Sequence, residues 1–185
     1  VFITNYENAN RWTETPFCNG VEHGPWKFYY ESGILAWVHP YNYGEKHGDW
    51  IWYADTTQTV LKYEPYEYGL KNGLCKYFYK DGTLEKEVNY VNGLLNGIYK
   101  TYHPNGNLKL SKTFLNGKED GEVLYLSEAS DTIYVLQYSK GLKHGRSYYY
   151  TEYGEPLAEK SFVDGKKDGG WIGYHEDGIF KQKTY

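Results

Sequence analysis

The chain has 185 residues, with 21 Gly, 23 Tyr and 6 Trp, and it balances 20 Lys and Arg against 24 Asp and Glu for a net charge of -4. No run of about 18 apolar residues occurs, which excludes a transmembrane helix. No basic stripe occurs either, which argues against nucleic acid and against an anionic membrane surface, because both draw their affinity from Lys and Arg.

The excess of acid is N-terminal: residues 1–67 hold four Lys and Arg against nine Asp and Glu. The chain opens at Val1 and contains no Met, which favours an exported protein with its leader removed, or a trimmed chain. Residues 1–18 read as an N-terminal cap or degenerate repeat, because Thr15-Pro16-Phe17 matches the end of each later segment.

From there a pair of glycines four residues apart recurs. The pairs are Gly20 and Gly24, Gly44 and Gly48, Gly69 and Gly73, Gly93 and Gly97, Gly117 and Gly121, Gly141 and Gly145, and Gly165 and Gly169. The period is 24 residues with one step of 25. This divides the chain into seven units, 19–42, 43–67, 68–91, 92–115, 116–139, 140–163 and 164–185. A repeat of this length is one supersecondary unit that buries its apolar face only against its neighbours.

Within each unit a first strand is expected just after the second glycine. It carries Trp26, Trp50, Cys75, Tyr99, Val123, Ser147 and Trp171 at one recurring position and Tyr29, Tyr53, Phe78, Tyr102, Leu126, Tyr150 and Tyr174 at another. A turn follows at Gly33, Gly82, Gly106, Gly154 and Gly178, with Thr57 and Ser130 in the other two units. Lys80-Asp81-Gly82-Thr83, Pro104-Asn105-Gly106-Asn107 and Glu176-Asp177-Gly178-Ile179 are hairpin signals, since Asn-Gly and Asp-Gly suit turns with positive φ. A second strand returns to an aromatic at Tyr41, Tyr66, Tyr90, Phe114, Tyr138 and Phe162. The position before each second glycine holds His23, His47, Asn72, Asn96, Asp120, His144 and Asp168. These are the side chains that tolerate left-handed backbone best, so they read as turn residues. The expected fold is all-β: an elongated, twisted, open antiparallel meander of about seven stacked β-hairpin repeats, fourteen strands in all.

Asn92-Gly93-x-x-Asn96-Gly97-x-Tyr99-x-x-Tyr102-x-x-Asn105-Gly106-x-Leu108 resembles the MORN repeat, as does Lys140-Gly141-Leu142-Lys143-His144-Gly145 with Tyr148-Tyr149-Tyr150. The closer likeness is to its bacterial variant, and it covers residues 19–185. Thr57, Ser130, Cys75, Ser147 and Gly173 depart from the pattern. The resemblance implies a β-ribbon with a scaffold or binding role, and some bacterial members are described as antitoxin-like. It does not imply catalysis.

Three kinds of site were weighed on the residues themselves. His23 and His47 occupy equivalent turns, but no Cys or carboxylate cluster completes a zinc set, so no metal is expected. Nucleophile motifs are absent, and the glycines lead into strands rather than helices, so neither an enzyme nor a cofactor site is expected. A disulfide between Cys18 and Cys75 is disfavoured by their separation of more than two repeats. An aromatic face is the remaining candidate. Trp12, Trp26, Trp37, Trp50 and Trp52 all fall in the first 52 residues. Positions that vary between units are freer to bind than those that stay aromatic. Trp26, Phe28, Trp37, Trp50 and Trp52 are therefore the expected binding residues, on strands splayed by Pro16, Pro40 and Pro65. The acidic surround favours a basic partner. The expected function is a non-enzymatic scaffold that binds a protein, such as a toxin or effector. Carbohydrate or cell-envelope binding and membrane association are the alternatives. Open sheet edges would also permit a homodimer.

Overall fold

The computed structural model describes residues 1–174 and the backbone of residues 180–184. The turn expected at Glu176-Asp177-Gly178-Ile179 lies outside the described residues. Every regular element among the described residues is a β-strand. The chain divides into two compact units, Val1–Leu94 and Leu95–Tyr185. Each is an open antiparallel array of hairpins. Phe2–Asn5 pairs with Arg11–Thr15 in the first unit, and Phe180–Thr184 pairs with Gly170–Tyr174 in the second.

The hairpin Gly24–Tyr29/Leu35–Asn42 shows why the sequence folds this way. Its register runs from Gly24 opposite Tyr41 to Tyr29 opposite Leu35, with a bulge between Phe28 and Tyr29. The loop closes when Tyr30 N–H donates to Ile34 O at 2.8 Å and Gly33 N–H donates to Tyr30 O at 2.9 Å. Gly33 sits at φ 86°, the left-handed residue that a three-residue hairpin loop requires. Residues 1–18 include the same kind of hairpin, with Ala9 at φ 68° in the glycine's place. The one 25-residue repeat takes up its extra residue in this loop: Gln58 N–H reaches Ala54 O, and Gln58 rather than Thr57 has the positive φ, 54°.

The glycine pair makes the other turn. Asn42 and Glu45 pair across Tyr43 and Gly44, which have φ of 47° and 84°. Two successive positive φ values are the signature of a type I′ turn. The expectation that His23 and its equivalents adopt left-handed backbone is not met. The residue before the first glycine does so instead: Asn19, Tyr43, Tyr68, Asn92, Asn116, Lys140 and Asp164. His23 and its equivalents have a different task. His23, Asn72, Asp120 and His144 each offer a side-chain acceptor to the backbone of the next repeat. Tyr43 N–H donates to His23 Nδ1, Asn92 N–H to Asn72 Oδ1 at 3.3 Å, and Lys140 N–H to Asp120 Oδ2 at 3.1 Å.

First strands begin at the second glycine rather than after it, as in Gly24–Tyr29 and Gly48–Tyr53. The residues between the glycines form extra two-residue strands, such as Glu45–Lys46 and Leu70–Lys71. The sheet therefore has more strand segments than the fourteen expected.

Neighbouring hairpins share little backbone pairing. Between Leu35–Asn42 and Gly48–Tyr53 the paired residues are Trp37 with Trp52 and Val38 with Ile51. Leu110 with Tyr125 and Ser111 with Leu124 repeat this where no proline is present. The short pairing is thus a property of the repeat, not of Pro16, Pro40 and Pro65. Pro40 and Pro65 stay in register opposite Pro25 and Asp49. Bonds at both turns complete the seam. Gly44 N–H donates to Glu22 O at 2.8 Å, and Tyr30 Oη–H donates to Tyr53 O at 2.9 Å. Backbone groups left unpaired by the short ladder thereby find partners.

Candidate functional site

Alternation along paired strands puts residues i and i+2 on one face. The register of the hairpin therefore sets Trp26 and Phe28 beside Trp37, His39 and Tyr41. The next hairpin adds Trp50 and Trp52 opposite Glu64 and Lys62 on the same face. All five aromatic residues expected from the sequence are thus brought together in the first unit.

Their rings form a continuous run. Phe28 stacks on Trp37 at 5.2 Å between centroids and 9° between planes. Trp37 stacks on His39 at 4.0 Å, and His39 on Trp50 at 3.9 Å. Trp26 meets Trp37 edge-on at 5.4 Å, and Trp52 meets His39 edge-on at 4.5 Å. Trp12 extends the run, 6.4 Å from Phe28. Offset-stacked and edge-to-face pairs add to the stabilisation from area burial alone.

The members differ in exposure. Trp26, Phe28, Trp37 and Trp52 are half-buried, whereas Trp50 is only 6% exposed. Trp50 Nε1–H donates to Pro40 O at 3.0 Å, which anchors the ring inward. Trp50 is a packing residue that holds its neighbours in place. The same position is buried in other units, at Cys75, Val123 and Ser147. Variation there reflects the volume each repeat must fill, so a varying position is not a free one.

The sequence reading missed His39. Its alternation with Trp37 and Tyr41 was the available signal. Burial lowers its pKa first, and the charges of Lys46 and Lys62 lower it further against the opposing pull of Glu64, to about 4. The ring is therefore neutral at neutral pH. Its Nε2 is buried without a hydrogen-bond partner, and so is Nε1 of Trp26.

Also missed was a polar centre beside the rings. Glu64 is 2% exposed. Its Oε1 accepts from Lys71 Nζ and Tyr77 Oη at 2.6 Å each and lies 3.2 Å from Lys62 Nζ. Tyr66 Oη–H donates to Oε2 at 3.1 Å. Burial alone would raise this carboxyl. The hydrogen bonds from Lys71 and Tyr77 and the charges of Lys62 and Lys71 outweigh it and hold the group at about 2. The lysines rest on rings: Lys46 Nζ is 4.3 Å from the Trp50 centroid, Lys62 4.2 Å from Trp52 and Lys86 3.9 Å from Tyr77. The sequence suggested an acidic surround and a basic partner, but the aromatic face itself is edged with cations.

His23 and His47 act in the turns, His23 with its ring 4.5 Å from Tyr43 and His47 with its ring 6.0 Å from Tyr68. Among the described residues no group of three or more His, Cys, Asp or Glu is placed to hold a metal ion. Cys18 and Cys75 are free thiols, and burial pushes Cys75 up to about 11.

The family of MORN repeat variants matches residues 22–41, 71–92 and 95–116. These three segments are MORN repeats of the variant type. No curated protein matches the chain. The first MORN segment contains Trp26, Phe28 and Trp37, so the aromatic run passes through a matched repeat, with Trp12 before it and Trp50 and Trp52 after it. The chain is a β-hairpin repeat protein that carries three MORN-variant segments and an aromatic cluster on one face of its first unit.

Proposed function

We propose that this MORN repeat chain is a non-catalytic scaffold that binds a protein partner through the aromatic face of residues 26–52. The observation that carries this reading is the unbroken run of rings from Trp12 to Trp52, half-buried rather than closed over. Trp and Tyr dominate binding hot spots because they bring large, rigid contact area at low entropic cost. Trp26, Phe28, Trp37 and Trp52 are the contact residues, and Trp50 supports them from below. Covering a toxin or effector surface is the specific form of this function suggested by the resemblance to antitoxin-like repeats.

The test is capture of partners from the native organism's lysate, followed by mass spectrometry. Trp26→Ala and Trp52→Ala should lose the partner, while Trp171→Ala in the second unit should keep it. Equal capture by all variants would refute the aromatic face. Binding on a glycan array with no protein captured would replace the protein partner with a sugar.

A further inference from the structure

We infer that the lysine-edged part of this face, around Glu64, takes an acidic, extended segment of the partner protein. The inference rests on the proposed aromatic interface and adds its charge.

Register builds the patch. Tyr77 lies opposite Lys62 on one neighbouring strand and opposite Lys86 on the other. Lys62 Nζ is 5.7 Å and Lys86 Nζ 3.9 Å from the same Tyr77 ring. Lys71 lies opposite Tyr66, and Lys46 Nζ is 5.0 Å from the Tyr66 ring. Four ammonium groups thus stand over tyrosine and tryptophan rings, with one carboxylate, Glu64, among them. That carboxylate is spent: it is buried and already bonded to Lys71, Tyr66 and Tyr77. Lys46 and Lys86 have no carboxylate within ion-pair distance among the described residues. Glu22, whose charge reaches Tyr41, sits at the far end of the row.

The opposite face differs. There Glu14 faces Lys27, Asp49 takes a hydrogen bond from Tyr63, and Glu87 faces Lys76. The opposite face thus pairs its cations with anions, whereas the aromatic side carries a surplus of cations. Lys62 and Lys86 are two strands apart, roughly 10 Å, a span that the flexible carboxylates of residues two apart on one face of an extended peptide, about 7 Å between their Cα atoms, can reach. The chain as a whole is at -4, which opposes uniformly charged polyanions such as nucleic acid, heparin or anionic lipid. A peptide that alternates carboxylates with apolar side chains meets both the lysines and the rings.

The test uses the full chain and fluorescence anisotropy of two labelled peptides, one of repeated Glu-Tyr-Glu-Leu and one of repeated Lys-Tyr-Lys-Leu. The acidic peptide should bind and the basic one should not. Lys46→Gln with Lys86→Gln should weaken acidic binding about tenfold while leaving the Trp fluorescence spectrum of the fold intact. Raising salt from about 50 to about 300 mM should weaken wild-type binding as well. Failure of the acidic peptide to bind, equal binding of both peptides, an unaffected lysine variant, or tighter binding to heparin or phosphatidylserine vesicles would each overturn the inference. The lysate capture separates the two ideas. If Trp26→Ala loses the partner and the lysine variant keeps it, the aromatic interface stands and the acidic segment falls. If both keep it, both fall.

Discussion

His39 and Trp50 lie face to face, their ring centroids 3.9 Å apart and their planes 10° from parallel. Trp37 covers the other side of the imidazole at 4.0 Å. A protonated imidazole in that slot would be a buried cation with Lys46 and Lys62 nearby, which is why its pKa falls to about 4 from an ordinary 6.5. The unfolded chain binds this proton more readily than the native one. Stability is therefore full above pH 6.5 and declines as pH falls toward 4. Between pH 7 and pH 5 the first unit should lose about 1–2 kcal/mol, read as a lower urea midpoint by Trp fluorescence. Glu64, held at about 2 against 4.5, contributes no slope in that range, since its share is lost only below pH 4.5. His39→Phe keeps the stack and removes the titration, so its midpoint should be nearly flat from pH 7 to 5. An unchanged slope would assign the effect to another group.

Glu64 and Lys71 supply the second prediction. Glu64→Gln keeps the shape but leaves Lys62 and Lys71 facing a neutral amide in a buried site. A loss of about 2 kcal/mol is expected in the first unit, because the buried side chain exchanges charge-assisted hydrogen bonds from Lys71 and Tyr77 for neutral ones. The pair Lys112 and Glu119, at 2.7 Å with a carboxylate side chain 26% rather than 3% exposed, provides the contrast. Glu119→Gln should lose less than about 1 kcal/mol. Equal losses at the two sites would mean that burial does not set the strength of these pairs.

Much of this was legible beforehand because hairpins are local. Asn-Gly and the second glycine lie within a few residues of the turns they make, and alternation over two short strands is enough to group Trp26, Phe28 and Trp37. Most of the misread features depend on neighbouring strands. Whether His23 or Asn19 takes the left-handed backbone depends on which residues pair across the turn. The task of His23, accepting from Tyr43, depends on the next repeat. The burial of Trp50, Cys75 and Ser147 at one recurring position comes from side chains that reach over from neighbouring strands, which no single repeat displays. His39 and the lysines were passed over for the same reason: their environment is made by residues 10 or more positions away, such as Trp50 against His39 and Tyr77 against Lys62.

The two glycines of a pair should respond differently to substitution. Gly69 has φ 77° but open space around a would-be Cβ, whereas at Gly73, φ 115°, that atom would lie 3.0 Å from Pro65 Cγ. Gly69→Asn should stay within about 1 kcal/mol of wild type, since Asn tolerates left-handed backbone. Gly73→Asn should lose about 2 kcal/mol or more, from strain and from the clash with the proline ring. Urea titration of both variants by Trp fluorescence checks the order. Equal losses would mean that the backbone conformation alone, and not the packed proline, demands the second glycine.

Ser147 is the last and simplest case. It is fully buried at the position where another repeat holds Cys75, and its hydroxyl has no hydrogen-bond partner. A buried unpaired hydroxyl is a desolvation penalty without compensation. Ser147→Ala should therefore stabilise the strand Gly145–Tyr150 and its neighbours by about 1 kcal/mol, or about fivefold in amide protection. Hydrogen exchange over residues 145–162 is the direct measurement, because this strand pairs with Pro156–Val163. Ser147→Cys, which copies the other repeat, should show a gain of the same sign. Lower protection in both variants would show that the hydroxyl is satisfied in solution, and that this repeat uses serine for a bond rather than tolerating it for its size.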